Sequence, residues 1–280
     1  METKQTLKLL ACQIEIPSMT TTSERDEHLA VSGAKVQNLI TDSPVDIVVL
    51  PELSSLEYSR KTFDNLVELA EPLDGPSYQH WRKVAKDCNT HVVYSFARRA
   101  EISTHISTAV VNPEGNFVGY YDKIHLAQFG ASMEKEYFQC GNQLFIFTVK
   151  GFTISPIICY DIRIPELCRT LTVDHGVDII LHCGAYYRDE SFFTWHDFAR
   201  VRAIENQIFF LSLNRAGEKY GNSLFCLPWM DENIPSIKFP ANAEKLLTIE
   251  IDPAILETAR KKYSFLEDRL PTYSIPILAK

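Results

Sequence analysis

The sequence predicts an α/β fold of layered sheets and helices. Short runs rich in β-branched and aromatic residues, such as Asp46 to Leu50 and Phe152 to Ile158, read as buried strands. Between them lie longer segments with apolar residues at helical spacing, as in Leu29, Val36, Leu39 and Ile40. No internal repeat, low-complexity tract or linker interrupts the 280 residues, so residues 1–280 read as a single domain. Strands that feed helices imply sheets covered by helical layers. Periodicity alone leaves two arrangements open, one doubly wound sheet or two packed sheets.

The elements follow in order. Leu7 to Ile14 is a short buried strand, and Glu24 to Ile40 a helix with Ser23 as N-cap. Asp46 to Leu50 is a second strand that ends at Pro51-Glu52. Lys61 to Ala70 and Ser77 to Cys88 are helices. His91 to Ala97, Ile106 to Asn112 and Phe117 to Lys123 are strands, the last two joined by the turn signal Asn112-Pro113-Glu114-Gly115-Asn116. Leu126 to Asn142 is irregular. Leu144 to Val149 is a strand, and Lys150-Gly151 turns the chain into the strand Phe152 to Ile158. Pro165 to Asp174 is a helix, with Pro tolerated in its first turn and Gly176 past its end. Asp178 to His182 and Gln207 to Leu213 are strands around the long helix Glu190 to Asn206. Ser223 to Leu227 and Lys245 to Ile251 are strands, and Asp252 caps a helix over Pro253 to Lys261. The tail 263–280 has no strong pattern.

Composition narrows the function. Hydrophobic residues at 45% and charged residues at 23% describe a globular chain with a large core. A net charge of −8 argues against a nucleic-acid surface or an anionic membrane partner. No apolar run approaches the roughly 18 residues of a membrane span. Met1 to Lys4 passes straight into the first strand, so no signal peptide is expected. The seven cysteines are an odd count, scattered in apolar segments without a C-x-x-C pair. They predict reduced thiols in a cytoplasmic protein and no zinc site, since His182-Cys183 lacks a second ligand pair.

Three ionisable residues stand at the ends of apolar runs: Glu52, Lys123 and Cys159. A lone cysteine at a strand end is more often structural, and a strand-end Glu or Lys is more often a solvated charge. As a set they have a chemistry. A thiol is weakly nucleophilic at neutral pH unless a base or cation assists it. A carboxylate can take its proton, and an ammonium can hold the oxyanion of a tetrahedral intermediate. No G-x-G-x-x-G, Walker or G-x-S-x-G motif points elsewhere.

The words around these residues resemble one family, the carbon–nitrogen hydrolases of the nitrilase superfamily, over roughly Leu7 to Leu270. The matching segments are Leu50-Pro51-Glu52-Leu53, Tyr121-Asp122-Lys123-Ile124-His125-Leu126 and Ile158-Cys159-Tyr160-Asp161-Ile162-Arg163-Ile164-Pro165-Glu166. Gly141-Asn142, Arg202 to Gln207 and Gly221-Asn222-Ser223 match as well. The resemblance implies a four-layer α-β-β-α sandwich, usually a homodimer or larger, with the tail 263–280 packing on a partner subunit. It implies Glu52 as general base, Lys123 as oxyanion holder and Cys159 as nucleophile, with no metal or organic cofactor. It adds Glu134, seven residues before Gly141, as a second carboxylate; Cys140 departs from the proline usual before that glycine. The backbone N–H of Tyr160 would complete the oxyanion hole. Tyr58, Ala185 and Tyr186 would border the substrate, and Arg163 has two readings, a contact to a substrate carboxylate or a structural residue. Arg202 and Glu205 suit an ion pair three residues apart on a helix. Trp195 and the Phe192-Phe193 pair have two readings, core or dimer interface, of which core is the first. Cys-Tyr-Asp resembles the amidase and carbamoylase branches; nitrilases more often carry Trp and Glu there. The expected activity is thiol amidohydrolysis of a small linear amide. N-carbamoyl hydrolysis comes second and nitrile hydrolysis third. A non-catalytic binding protein of the same fold is the alternative outside enzymes.

Overall fold

The computed structural model describes residues 3–274 and 276. The first part of the chain runs β1 (Leu7–Gln13), α1 (Thr22–Ile40), β2 (Ile47–Val49), α2 (Arg60–Phe63), α3 (Leu66–Leu69), α4 (Pro76–Cys88), β3 (His91–Arg99), β4 (Thr104–Val111) and β5 (Phe117–Asp122). It continues through α5 (Glu134–Tyr137), β6 (Phe147–Val149), β7 (Phe152–Ile158), a 3-10 turn over Cys159–Arg163, α6 (Pro165–Val173), β8 (Ile179–Cys183), α7 (Phe192–Asn206) and β9 (Phe209–Leu213). It closes with β10 (Leu224–Cys226), β11 (Ile237–Lys238), β12 (Lys245–Ile251) and α8 (Pro253–Lys262).

Among the described residues the strands form two six-stranded sheets, ordered β12-β1-β2-β3-β4-β5 and β11-β10-β9-β8-β7-β6. In the first, β1, β2 and β3 are parallel, and β4 and β5 add antiparallel strands. In the second, β7, β8 and β9 are parallel. Alternate residues of one strand serve different layers. Leu9 and Ala11 of β1 pack between the sheets with Ile154, Leu181 and Phe209. Leu10 and Cys12 face the other way, into a core with Leu29, Val36 and Trp81 of α1 and α4. On the far side, Ile157 and Phe210 pack against Leu171, Trp195 and Ala199 of α6 and α7. Strands buried on both faces are why the runs read as continuous apolar stretches. The result is the α-β-β-α sandwich.

Several element boundaries differ from the sequence reading. The N-cap of α1 is Thr21, not Ser23: Thr21 Oγ1 accepts from Glu24 N while the Glu24 carboxylate accepts from Thr21 N, a capping box. The segment Lys61 to Ala70 is two short helices. Asn65 Nδ2 donates to Lys61 O and Asn65 N to Thr62 O, local bonds that compete with helix continuation. The irregular stretch Leu126 to Asn142 contains the one-turn α5. The strand expected from Leu144 starts only at Phe147, and the helix expected from Glu190 starts at Phe192. The two-residue β11 has no sequence signature. Turn chemistry held: Asn112 N donates to Asn116 O, and Lys150 and Gly151 carry φ values of 48° and 80° in the β6–β7 hairpin. Asp252 caps α8 through Ala254 N.

Trp195 is fully buried, as expected, but Phe193 is 87% exposed. Arg202 Nη1 meets Glu205 Oε1 at 2.8 Å. Of the tail 263–280, residues 275 and 277–280 lie outside the described residues. Tyr263 stacks on Trp229 at 3.7 Å, so the start of the tail packs on its own chain.

Candidate active site

The three candidate side chains Glu52, Lys123 and Cys159 come from the carboxyl ends of strands in both sheets. Glu52 follows β2, Lys123 is the first residue past β5, and Cys159 is the first past β7. The chain bends sharply at two of these points: Leu53 has φ 46° and Cys159 φ 43°, both left-handed. The helix α6 begins at Pro165, as the sequence predicts, and a 3-10 turn over Cys159–Arg163 fills the interval between the strand end and that helix.

Lys123 is the centre of the cluster. Its Nζ lies 2.8 Å from Glu52 Oε1 and 2.6 Å from Glu134 Oε1, and all three residues are fully buried. It is no surface partner of Asp122, whose carboxylate takes the fork of Arg98 at 2.9 and 2.6 Å. Burial alone would lower the Lys123 ammonium, but the Glu134 and Glu52 carboxylates outweigh it and hold the group above its usual range. Glu134 sits on α5 with Oε1 also accepting from Tyr58 O–H at 2.8 Å and Oε2 from Ala127 N at 2.9 Å. Burial raises the Glu134 carboxyl against the opposing pull of Lys123. Glu52 differs in one respect: its Oε2 is buried and accepts no hydrogen bond.

Cys159 is half-buried and feels the same charges. Burial and Glu52 push its thiol well above the usual range, Lys123 pulls it down, and a hydrogen bond from the Ala185 backbone pulls the same way. The expected gain in thiolate from Lys123 is thus outweighed, and the resting group is a thiol.

The remaining expected residues have mixed placements. Tyr58 is half-buried with its hydroxyl engaged by Glu134. The ring of Tyr160 packs on Phe129 at 5.5 Å. Tyr186 is buried, its N–H donating to Asn214 Oδ1 and its O–H to the carbonyl of Cys159 at 3.0 Å. The Arg163 guanidinium lies between Phe129 and Phe198, 5.4 and 5.1 Å from the ring centroids.

Two organising residues escaped the sequence reading. The buried carboxylate of Asp161 accepts from Ile158 N and Tyr121 O–H through Oδ2 and from His125 N and Nδ1 through Oδ1. It thereby ties the cysteine loop to both flanks of Lys123. An acid three residues beyond a buried strand was the signal available. Arg215, also buried, reaches across from the loop after β9 and donates Nη2 to the carbonyls of Glu52, Leu53 and Leu56. Nothing near Arg215 in sequence marks the loop it reaches. Among the described residues no group of three or more His, Cys, Asp or Glu side chains is placed to hold a metal ion.

Comparison with known proteins bears on the family and the fold. The carbon-nitrogen hydrolase family model matches residues 8–261. The 2-oxoglutaramate amidase of Bacillus subtilis is 35% identical over 66% of this chain and 71% of its own. An omega-amidase of Xenopus tropicalis is 26% identical over 80% of this chain and 82% of its own. In structure, Saccharomyces cerevisiae Nit3, a nitrilase-superfamily member, superposes with a TM-score of 0.80 at 22% identity, covering 92% of this chain and 94% of its own. With the sandwich and a family match across nearly all of its length, the chain belongs to the carbon-nitrogen hydrolase family and is a hydrolase of amide carbon–nitrogen bonds other than peptide bonds.

Proposed function

We propose that Cys159 cleaves small linear amides through a thioester, with Glu52 as the base and Lys123 as the oxyanion holder. The observation that carries this reading is the division of labour on Glu52. One oxygen is held by Lys123, and the other is buried with no partner. A carboxylate fixed by one oxygen and bare at the other is a base aimed at its target. Cys159, a thiol at rest, gives its proton to Glu52 as Sγ bonds to the amide carbon. The carbonyl oxygen takes the charge. Lys123 has three N–H groups, two committed to Glu52 and Glu134, which leaves one for that oxyanion. The backbone N–H of Tyr160 is its second donor. Collapse breaks the C–N bond, and Glu52 returns its proton to the departing ammonia or amine. Glu52 then takes a proton from water as it attacks the thioester, and the acid leaves with Cys159 restored as a thiol. Glu134, hydrogen-bonded to Lys123, Tyr58 and Ala127, positions the ammonium.

The relatives named as 2-oxoglutaramate amidase and omega-amidase support an ω-amide substrate. An ammonia-release screen over ω-amides, N-carbamoyl amines, aliphatic amides and nitriles tests this. Release from ω-amides with the highest kcat/KM, abolished in Cys159→Ala, is the expected result. Preferred turnover of N-carbamoyl compounds would replace the substrate class and keep the mechanism. Turnover surviving in purified Cys159→Ala would remove the mechanism.

The same reading includes a homodimer and a cytoplasmic location. All seven cysteines are free, the state a reducing compartment maintains. A groove of about 820 Å³ between α6, α7 and the tail, lined by Val201, Ile204, Phe265 and Tyr273, supports a partner on that face.

A further inference from the structure

Cys159 holds a left-handed backbone, φ 43°, which costs a residue with a Cβ on the order of 1 kcal/mol. Its carbonyl is the group that would swing if the backbone relaxed. That oxygen is gripped twice: His182 Nε2 lies 2.9 Å away, and Tyr186 O–H donates to it at 3.0 Å.

The far side of the imidazole decides which nitrogen carries the proton. Trp195 Nε1 can only donate, and it donates to Ser212 Oγ at 2.7 Å. The Ser212 hydroxyl lies 2.7 Å from His182 Nδ1. If Nδ1 carried the proton, bare Nε2 would face the Cys159 carbonyl oxygen, acceptor against acceptor. The consistent assignment runs one way: Trp195 N–H to Ser212, Ser212 O–H to Nδ1, and Nε2–H to the Cys159 carbonyl. Burial supports a single proton on the ring, since it pushes the imidazole down to about 4. Trp195, Ser212 and His182 are each at 0% exposure, so no water competes for these bonds. The same tryptophan aims the second donor: the Tyr186 ring stacks on the indole at 4.5 Å and 7°.

We propose that His182, in the Nε2–H tautomer fixed by Ser212 and Trp195, and Tyr186 are positioning residues that lock the backbone of Cys159 and so aim its Sγ. Both act through the cysteine's carbonyl. The inference rests on Cys159 being the nucleophile.

Three variants test it: Tyr186→Phe, which keeps the stacked ring; His182→Met, which removes the donor; and His182→Gln, which carries an amide N–H where Nε2 stands. Each is measured for kcat and KM on the best amide of the screen, and for iodoacetamide labelling of the Cys159 peptide by mass spectrometry. Tyr186→Phe and His182→Met are expected to lower kcat and labelling by roughly tenfold each, the effect of one lost hydrogen bond. KM should hardly move, and His182→Gln should recover most of the rate. Melting curves identify any variant that fails to fold, and Tyr186→Phe carries the test if His182→Met does. Wild-type kcat and labelling in Tyr186→Phe and His182→Met would overturn the proposal. So would His182→Gln being as impaired as His182→Met, which is the mark of packing alone. If Cys159→Ala is inactive, such results remove only the positioning role; if Cys159→Ala still turns over, the nucleophile reading falls as well.

Discussion

Lys123 is the residue on which the site balances. An ammonium and two carboxylates share a volume closed to water, an arrangement that is stable only while the charges stay paired. A base whose folded value is raised stabilises the fold at every pH below its unfolded value, and that contribution fades only as pH rises through the raised value. It is therefore intact at neutral pH. In Lys123→Met the cation that opposes the effect of burial on Glu134 is gone, and that carboxylate must take up a proton to remain buried. The folded value of Glu134 then lies further above its unfolded one, so the variant loses stability as pH rises. We expect turnover to fall by roughly 10²–10³. The melting-temperature deficit against wild type should be larger at about pH 8 than at about pH 5; equal deficits would show that the Glu134 carboxylate does not depend on the lysine. Glu52→Gln separates the base role proposed for Glu52 from the oxyanion role proposed for Lys123. It keeps shape but cannot accept a proton, so acylation and deacylation should both slow, by roughly 10² or more. A burst of product followed by a slow steady state, with the burst at wild-type speed, would confine Glu52 to the second step.

At the scale of elements, the lysine loop is closed by one glycine. Gly141 N donates to Lys123 O at 2.8 Å, and a Cβ on Gly141 would collide with the backbone oxygen of Asp122. Gly141→Ala must therefore displace the end of β5 that carries Lys123. Small displacements of a catalytic group are expensive, on the order of 10²-fold for about 1 Å. We expect kcat to drop by that order, with a lower melting temperature; a variant with wild-type kcat would show that the loop yields without moving the ammonium. The α1 cap offers a contrast away from the site. Thr21→Ala breaks the capping box and should cost about 1 kcal/mol in denaturant unfolding while leaving kcat untouched.

At the scale of the molecule, the outer face of α7 exposes apolar side chains and is the surface on which the proposed dimer is tested. Phe193 is 87% and Val201 48% exposed there, with Tyr273 of the tail at 68%. Light scattering at micromolar concentration is expected to give twice the chain mass, and Val201→Glu to shift the particle toward the single-chain mass. A monomeric wild type would end the dimer reading. Arg215 shows the same scale within one chain. It stands on a loop of the second sheet and holds three carbonyls of the Glu52 loop on the first, so the site exists only when the two sheets are packed.

What the chain determines locally is legible in its sequence. Strands buried on both faces read as apolar runs, turn residues mark hairpins, and ionisable residues at the ends of those runs stand out against them. Glu52, Lys123 and Cys159 could be picked out because each interrupts an apolar pattern, and the motifs around them resemble one family. The pairing of the two sheets was not open to periodicity, because a strand buried on both faces reads alike beneath a helix layer or beneath a second sheet. Nor was the N-cap at Thr21 or the break at Asn65, where a side-chain hydrogen bond outweighs a weak propensity. Tertiary structure alone decided the partners of the buried polar groups: Asp161 tying two loops, Arg215 crossing between sheets, and His182 turned toward the carbonyl of Cys159. A buried polar side chain must find a partner, but the partner can lie anywhere in the chain, and only packing brings the two together.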